Sequence, residues 1–478
     1  MPLNWKMWAS RPGIVLLVAV LNVALWVPGT NVLNNMFREK PTLLGRYSIG
    51  QTMAGLAVLF VSAIFLFVAL GPEATRRRRL FGVITVGLAL TCSLLVADAV
   101  LRLLPEPAPT EWRAGIVVRK PDCTYTAVYK DQHPLHSCYP CLPPGYPPVP
   151  LTFRVDHRGF RNPTEIDTAG VVLIGDSFTE GYAVSDDQPW GRLFSETTTE
   201  TVCNLGNNGA SPPRYLQVFS TVAMDLKPHT IMLMLFEGND FWGDGTLSSP
   251  PEDVSPRRRL QGLLRHSPLR ERTEQALIEL LGPVNAPRAM PDPDVIGCFP
   301  LAVPPGPNAH YYWIEPKRPL HLSIPEAQFR ESPGWQTVAL LLDQMSRTCQ
   351  RNGVRFIVLY APAKAHVVMP LVLKELPPEQ VARFVLLRGQ GLPGGARDGS
   401  EFLKLLAVTL DAQEKVTAEY CRDLDVEFLS FTDALRQATR NGTQTYFTYD
   451  MHWTPEGHRV VADTLVEYWR QHPRSISE

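Results

Sequence analysis

An α/β fold, a parallel sheet sandwiched by helices and preceded by N-terminal transmembrane helices, is predicted by three observations. From residue 171 onward, short apolar runs of strand length alternate with segments of helical period, the pattern of strands covered by crossover helices. Those runs end in blocks of glycine and small polar residues, which break a strand sharply. Ahead of them lie two uncharged runs of 18 residues each, Met53 to Leu70 and Leu80 to Ala97.

At roughly 1.5 Å per residue, a run of that length spans about 27 Å as a helix, close to the hydrocarbon thickness of a bilayer. A weaker run, Ile14 to Val27, contains Asn22. It reads as a retained anchor, or as a signal segment after Lys6 and Arg11. Arg76 to Arg79 separate the two strong runs, and the bias of basic loops toward the cytoplasm puts that loop inside. Everything after about residue 105 is then expected outside, which predicts a multi-pass protein of the cell (inner) membrane with a periplasmic or extracytoplasmic domain. Residues 1–104 form the anchor with two or three spans, and residues 105–152, rich in proline and cysteine, a linker or cap.

In the region that follows, Val171 to Ile174 is a strand, and Gln188 to Glu196 and Pro213 to Leu226 are helical. Ile231 to Phe236 and Val354 to Tyr360 are further strands, and Gln336 to Asn352 carries Val338, Leu341, Leu342 and Met345 at helical spacing. Glu401 to Cys421 reads as one helix and Val426 to Ser430 as a last strand. Thr454 with Pro455 opens a terminal helix whose apolar stripe is Val460, Val461, Leu465 and Trp469, proline being suited to a first helical turn. Insertions at about 243–333 and 367–400 interrupt the alternation, as walls of a substrate groove or as surface elaboration.

A net charge of −1 gives no global basic field, so no nucleic acid partner is expected. Cys92 lies in a predicted span, leaving Cys123, Cys138, Cys141, Cys203, Cys298, Cys349 and Cys421 beyond it. An odd number cannot all pair within the chain. A disulfide among Cys123, Cys138 and Cys141 is expected in an oxidising compartment; the competing reading is a metal site with His133 and His136. Cys203 reads as a small buried hydrophobe.

The chemistry concentrates in four blocks. Val171-Val172-Leu173-Ile174-Gly175-Asp176-Ser177 ends a strand where a helix begins, so Asp176 and Ser177 read as helix caps, or Ser177 as a nucleophile beside free N–H groups. Cys203-Asn204-Leu205-Gly206-Asn207-Asn208-Gly209 follows a second apolar run, Glu237-Gly238-Asn239-Asp240 a third, and Asp450-Met451-His452-Trp453 lies near the C-terminus.

Together these blocks resemble the SGNH (GDSL-type) hydrolase superfamily, whose signature is Ser, Gly, Asn and His in this chain order. Phe153 to Asn162 is similar to the segment that precedes the nucleophile strand in bacterial members. The resemblance covers about residues 153 to 470, and it implies a flavodoxin-like sheet in a domain spanning 153–478. It assigns Ser177 as nucleophile, Asp450 and His452 as its partners, and Gly209 and Asn239 as donors. Members commonly place two residues between Asp and His; here Met451 stands alone. That spacing, followed by Trp, resembles the polysaccharide O-acetylation branch of alginate-acetylation type.

A serine hydroxyl needs a base, and His452 held by Asp450 would supply one. His366 follows a strand and His458 lies in a helix; both are weaker candidates, because His452 is the one that falls in the family's last block. The N–H groups of Ser177 and Gly209 and the Asn239 amide would stabilise the oxyanion, although Asn239 alone also reads as a turn residue. Lys364 would touch an acidic substrate or be solvated. No cofactor motif is present and no metal is expected. The expected activity is hydrolysis of an acyl ester on an envelope glycan or lipid by a serine esterase beside the membrane lipid bilayer. The alternatives are an O-acyltransferase modifying an exported polysaccharide, with envelope polysaccharide assembly partners, and a catalytically silent glycan-binding or assembly component.

Overall fold

The structure, a computed structural model, describes residues 11–26, 49–70, 72–103, 110–113, 116–133, 142–242, 299–304, 309–386 and 391–473, with positions 269, 273 and 276. It divides into two compact units. The first holds residues 1–105, 134–142 and 254–296, and the second holds 106–133, 143–253 and 297–478.

In the first unit three apolar stretches are helical: Arg11–Trp26, Ile49–Ala69 and Arg76–Leu103. Among the described residues one helix, Arg77–Leu101, is long and apolar enough to cross a membrane; the apolar part of the second, Ala54–Val68, is shorter. The predicted set of two or three spans is therefore matched by one. Arg77, Arg78 and Arg79 belong to the first turn of the long helix rather than to a loop, and Arg79 donates to the Phe67 carbonyl at 2.9 Å. Phe81 is 70% and Leu95 65% exposed, a surface of large apolar groups that water does not favour. The first two helices are joined through polar groups, the Asn22 amide donating to Ser62 Oγ at 3.0 Å.

The second unit is built on a five-stranded parallel sheet. The strand pairs that precede it are antiparallel: β1 (Thr110–Arg113) with β2 (Ile116–Arg119), and β3 (Thr124–Tyr129) with β4 (Val149–Arg154). The segment expected as linker thus contributes residues 106–133 and 143–152 to this unit. The sheet itself comprises β5 (Val171–Gly175), β6 (Val202–Gly206) and β7 (Thr230–Phe236). After an antiparallel pair, β8 (Phe299–Val303) and β9 (His310–Ile314), it is completed by β10 (Arg355–Ala361) and β11 (Glu427–Ser430).

The order across the sheet is β11-β10-β7-β5-β6. The chain thus goes from β5 to one side, then crosses back to β7 on the other, which opens a crevice beyond the carboxyl ends of β5 and β7. Every residue of β5 and β7 is buried, because alternate side chains enter two cores on opposite faces. Val171, Leu173, Met232 and Met234 enter one core; Val172, Ile174, Ile231 and Leu233 enter the other. Each such aliphatic side chain contributes roughly 1.5–3 kcal/mol by leaving water.

Two predicted boundaries differ. Glu401 to Cys421 is two helices, Gly399–Thr409 and Ala412–Asp423. The break falls at Leu410 and Asp411, and the Asp411 carboxylate is engaged by His366 at 2.8 Å. The insertion expected at 367–400 is largely helical, with Lys364–Val372 and Pro378–Leu386. Of the first insertion, residues 243–298 lie outside the described residues apart from 269, 273 and 276. Cys123 is a free thiol, while Cys138 and Cys141 lie outside the described residues, so a pairing between them is untouched.

Candidate active site

In the turn after β5 the cap and the candidate nucleophile are neighbouring residues. Asp176 is the N-cap of the short helix Ser177–Glu180, its carboxylate accepting the Phe178 N–H at 2.9 Å. Ser177 is the first helical residue. Gly175 is required by close packing: a Cβ there would sit 2.2 Å from Thr179 Oγ1.

Ser177 Oγ lies 2.7 Å from His452 Nε2. On the other side of the ring, His452 Nδ1 is 2.5 Å from Asp450 Oδ1, which also accepts the His452 backbone N–H at 2.9 Å. The single-residue spacer makes this double grip possible, since an aspartate readily accepts the amide two positions on. Burial raises the Asp450 carboxyl, but the hydrogen bonds and charge of His452 and the charge of Lys364 outweigh it and bring its pKa to about 2. A carboxylate that stays ionised fixes the Nδ1–H tautomer and leaves Nε2 free to accept the serine proton.

The loop that presents Asp450 and His452 is closed by paired backbone bonds, Phe447 N–H to the His452 carbonyl at 3.1 Å and Thr454 N–H to the Thr445 carbonyl at 3.1 Å. Two buried charges hold it. The Lys364 ammonium donates to the carbonyls of Phe447, Thr448 and Asp450 at 3.0, 2.9 and 2.8 Å. Asp131 accepts the N–H groups of Thr448 and Tyr449 at 2.6 and 3.0 Å, and of Asp450 at 3.3 Å. Lys364 is therefore neither solvated nor free for substrate, contrary to both sequence readings. Burial, the charges of Asp450 and Asp131, and a hydrogen bond to Asp450 raise the Tyr129 phenol far above its ordinary range. Sequence reasoning missed Asp131 and Tyr129, whose segment shows only proline-rich composition; neither carries a local signal of its role.

Gly209 sits in the turn after β6. Asn207 N–H donates to the Gly175 carbonyl at 3.0 Å and Ala210 N–H to the Asn207 carbonyl at 2.9 Å, which ties this turn to the end of β5. Gly209 has φ +71°, and a Cβ placed on it would meet only open space, so conformation rather than room selects glycine there. Asn239, in the turn after β7, aims its amide at Asp176 Oδ2, 3.4 Å away. Burial raises the Asp176 carboxyl to about 6, against the opposing Phe178 N–H, His452 and Asn239. Burial and the Asp176 charge lift Asp240 well above the usual carboxylate range, and Asp240 accepts the Tyr215 hydroxyl at 2.9 Å.

The segment from Asp156 to Asn162 braces this edge from below. Asn162 donates to Asp156 Oδ2 at 2.8 Å and to the Asn204 carbonyl at 3.0 Å, and the Asn204 amide donates to the Thr179 carbonyl at 2.8 Å. A buried, fully paired network of this kind links the helix Ser177–Glu180 to β6.

The two competing histidines are occupied elsewhere. His366 is fully buried between Glu237 (2.9 Å) and Asp411 (2.8 Å). Burial lowers its pKa, but Glu237 and Asp411 outweigh that and raise it to about 10, so it is a charged imidazolium. His458 packs edge-on against Trp453 and accepts the Trp190 N–H at 3.4 Å. Burial, with the charges of Arg161 and His452, pushes it down to about 3. Among the described residues no group of three or more metal-ligating side chains gathers.

No family model matches the chain, and no curated protein matches it. Solved structures to which it is similar include a member of the lipolytic protein G-D-S-L family from Veillonella parvula, 13% identical over 63% of this chain and 98% of that one, with a TM-score of 0.29. Another is the lipase/acylhydrolase from Enterococcus faecalis, 12% identical over 64% of this chain and 98% of that one, with a TM-score of 0.28. A third is the psychrotrophic esterase EstA from Pseudoalteromonas sp., 8% identical over 63% of this chain and 98% of that one, with a TM-score of 0.26. At this degree of likeness, the activity of the chain has to be read from its own site.

Proposed function

We propose that the chain is a serine acyl-ester enzyme in which Ser177 is the nucleophile, His452 the base and Asp450 the residue that orients it. The observation that carries this reading is the 2.7 Å approach of Ser177 Oγ to His452 Nε2, with Asp450 on Nδ1. Ser177 Oγ attacks the ester carbonyl as its proton passes to His452 Nε2. The Ser177 and Gly209 N–H groups and the Asn239 side-chain amide stabilise the oxyanion. Collapse of the intermediate expels the alcohol, which takes the proton from His452. A second nucleophile, activated by His452, then releases the acyl group from Ser177.

Water as that second nucleophile makes the chain an esterase. A sugar hydroxyl would make it an O-acyltransferase, and the Asp-x-His-Trp spacing of residues 450–453 supports that second reading. With the arginine-rich turn at residues 76–79 inside, the long helix 77–101 carries the domain to the outer side of the cytoplasmic membrane. An ester on an envelope glycan or lipid is the substrate class within reach there.

The test uses the purified full chain in detergent with p-nitrophenyl acetate, with and without an oligosaccharide acceptor. Nitrophenol release that depends on Ser177 is expected. Acetylated oligosaccharide among the products selects the transferase, and free acetate alone the esterase. Turnover by Ser177→Ala equal to that of the unmodified chain overturns the mechanism.

A further inference from the structure

Beside the Ser177–His452 pair lies a cavity of about 450 Å³, within the size range of small-molecule sites. Its walls mix aliphatic and aromatic side chains, the aromatic ones being Tyr125 and Tyr129 from β3, Phe153 from β4, and Tyr182 just after the helix Ser177–Glu180. Tyr125 and Phe153 stack with centroids 5.1 Å apart, and Tyr129 meets Tyr182 edge-on at 5.9 Å. The Tyr182 ring also lies against His452, 4.3 Å between centroids, so the cavity adjoins the base. Polar groups complete the lining, an Arg119–Glu180 ion pair together with Asn207 and Asn208 from the turn that carries Gly209.

This combination selects among occupants. An alkyl chain would satisfy the rings but would strip water from the exposed Asn208 amide without replacing its hydrogen bonds, which is costly. A pyranose matches both parts of the lining. Its faces present C–H bonds that pack on aromatic rings, and its hydroxyls run round the rim as donors and acceptors. Charge narrows the choice again. Of the two guanidinium groups in the wall, Arg119 is paired with Glu180 and Arg161 with Asp186, so among the described lining residues no cation is left over for a sugar carboxylate.

We propose that this cavity binds a neutral pyranose unit of the substrate, its ring faces held by the aromatic wall. That the bound sugar's ester is delivered to Ser177 rests on the esterase reading above; the binding itself does not.

Binding is measured by saturation-transfer NMR on the full chain carrying Ser177→Ala, with methyl β-D-glucopyranoside, methyl β-D-glucuronoside and octanoate as separate probes. The glucoside is expected to bind. Tyr125→Leu, which keeps apolar area but removes a ring, should weaken it at least tenfold. Ala127→Trp, at an exposed position of β3 that lines the cavity, should do the same by filling it, with thermal melting to verify folding. Binding of octanoate or the glucuronoside in place of the glucoside overturns the proposal, as does glucoside binding that neither substitution weakens.

A kinetic arm separates this idea from the reaction. On the Ser177 background, both substitutions should raise KM for methyl 6-O-acetyl-glucopyranoside about tenfold more than for p-nitrophenyl acetate; equal effects on the two count against the assignment. If the glucoside binds while neither ester is turned over, the sugar site stands and the esterase reading falls. If both esters are turned over and the glucoside does not bind, the reverse holds.

Discussion

Asp450 grips His452 twice, through the ring and through the backbone, and this accounts for a spacing one residue shorter than the commoner one. With Ser177 on Nε2, the three residues form a unit, and units lose activity non-additively. Ser177→Ala and His452→Ala should each be severe, and the double variant hardly worse than either in steady-state kinetics on p-nitrophenyl acetate. Asp450→Asn should be milder yet costly, because the imidazole loses the partner that sets its tautomer. Activity surviving in His452→Ala but lost in His366→Ala would reassign the base. Asn239 offers a second prediction at this scale. Its amide faces a buried carboxylate 3.4 Å away in the turn after β7; because Asn239 is a proposed oxyanion donor, Asn239→Ala should lower kcat by roughly 10²–10³ with melting almost unchanged. An unaltered kcat would reduce Asn239 to a turn residue.

The element that presents the base is the loop from Phe447 to Trp453, and it is clamped by charges of opposite sign from distant segments. Lys364 gathers its carbonyls and Asp131 its amides. Removing either leaves the loop groups that it bonded buried without that partner, which costs more than the bond itself is worth. Lys364→Met should therefore lower kcat more than KM, while Lys364→Arg restores part of it; equal kcat in all three proteins would deny the loop its positioning role. A separate device lies under β7 and β10, where His366 bridges Glu237 and Asp411. Its folded pKa of about 10 stands above the ordinary histidine value of 6.5. The sign follows from linkage: the folded state holds the proton more tightly, so the contribution is complete below pH 6.5 and lost as pH rises toward 10. The melting-temperature gap between the unmodified chain and His366→Gln should shrink steadily across that window. A gap constant from pH 6 to 10 would mean that His366 is not an imidazolium in the fold.

At the scale of the whole molecule, sheet order decides where chemistry can occur. The turns after β5, β6 and β7 lie at the carboxyl ends around the switch point, and they carry Ser177, Gly209 and Asn239. The antiparallel pair β3 and β4 joins the same unit and supplies Tyr129 and the aromatic wall. The helix 77–101 begins with basic residues, where the helix dipole disfavours them; the proposed retention of that end on the cytoplasmic side is tested with fusions. A reporter fused after residue 110 should be active outside the cytoplasmic membrane, and one fused at Arg78 inside. The opposite pattern removes the exported domain.

By itself the sequence determined what is local. The apolar runs that became β5 and β7, the Thr454–Pro455 start of the last helix, and the four motif blocks are all written within a few residues, because strand burial, capping and turn chemistry act at that range. The apolar stretches of residues 11–103 are legible for the same reason. Only the tertiary structure decided which histidine meets Ser177, since His452 lies 275 positions away and burial among carboxylates, invisible in the chain, set His366 apart. It also decided that Lys364 and Asp131 work on the same loop, and that Asp411 breaks a continuous helical pattern. Each of those outcomes depends on partners brought together by the sheet's crossover, where long-range pairing overrides the preferences of any single segment.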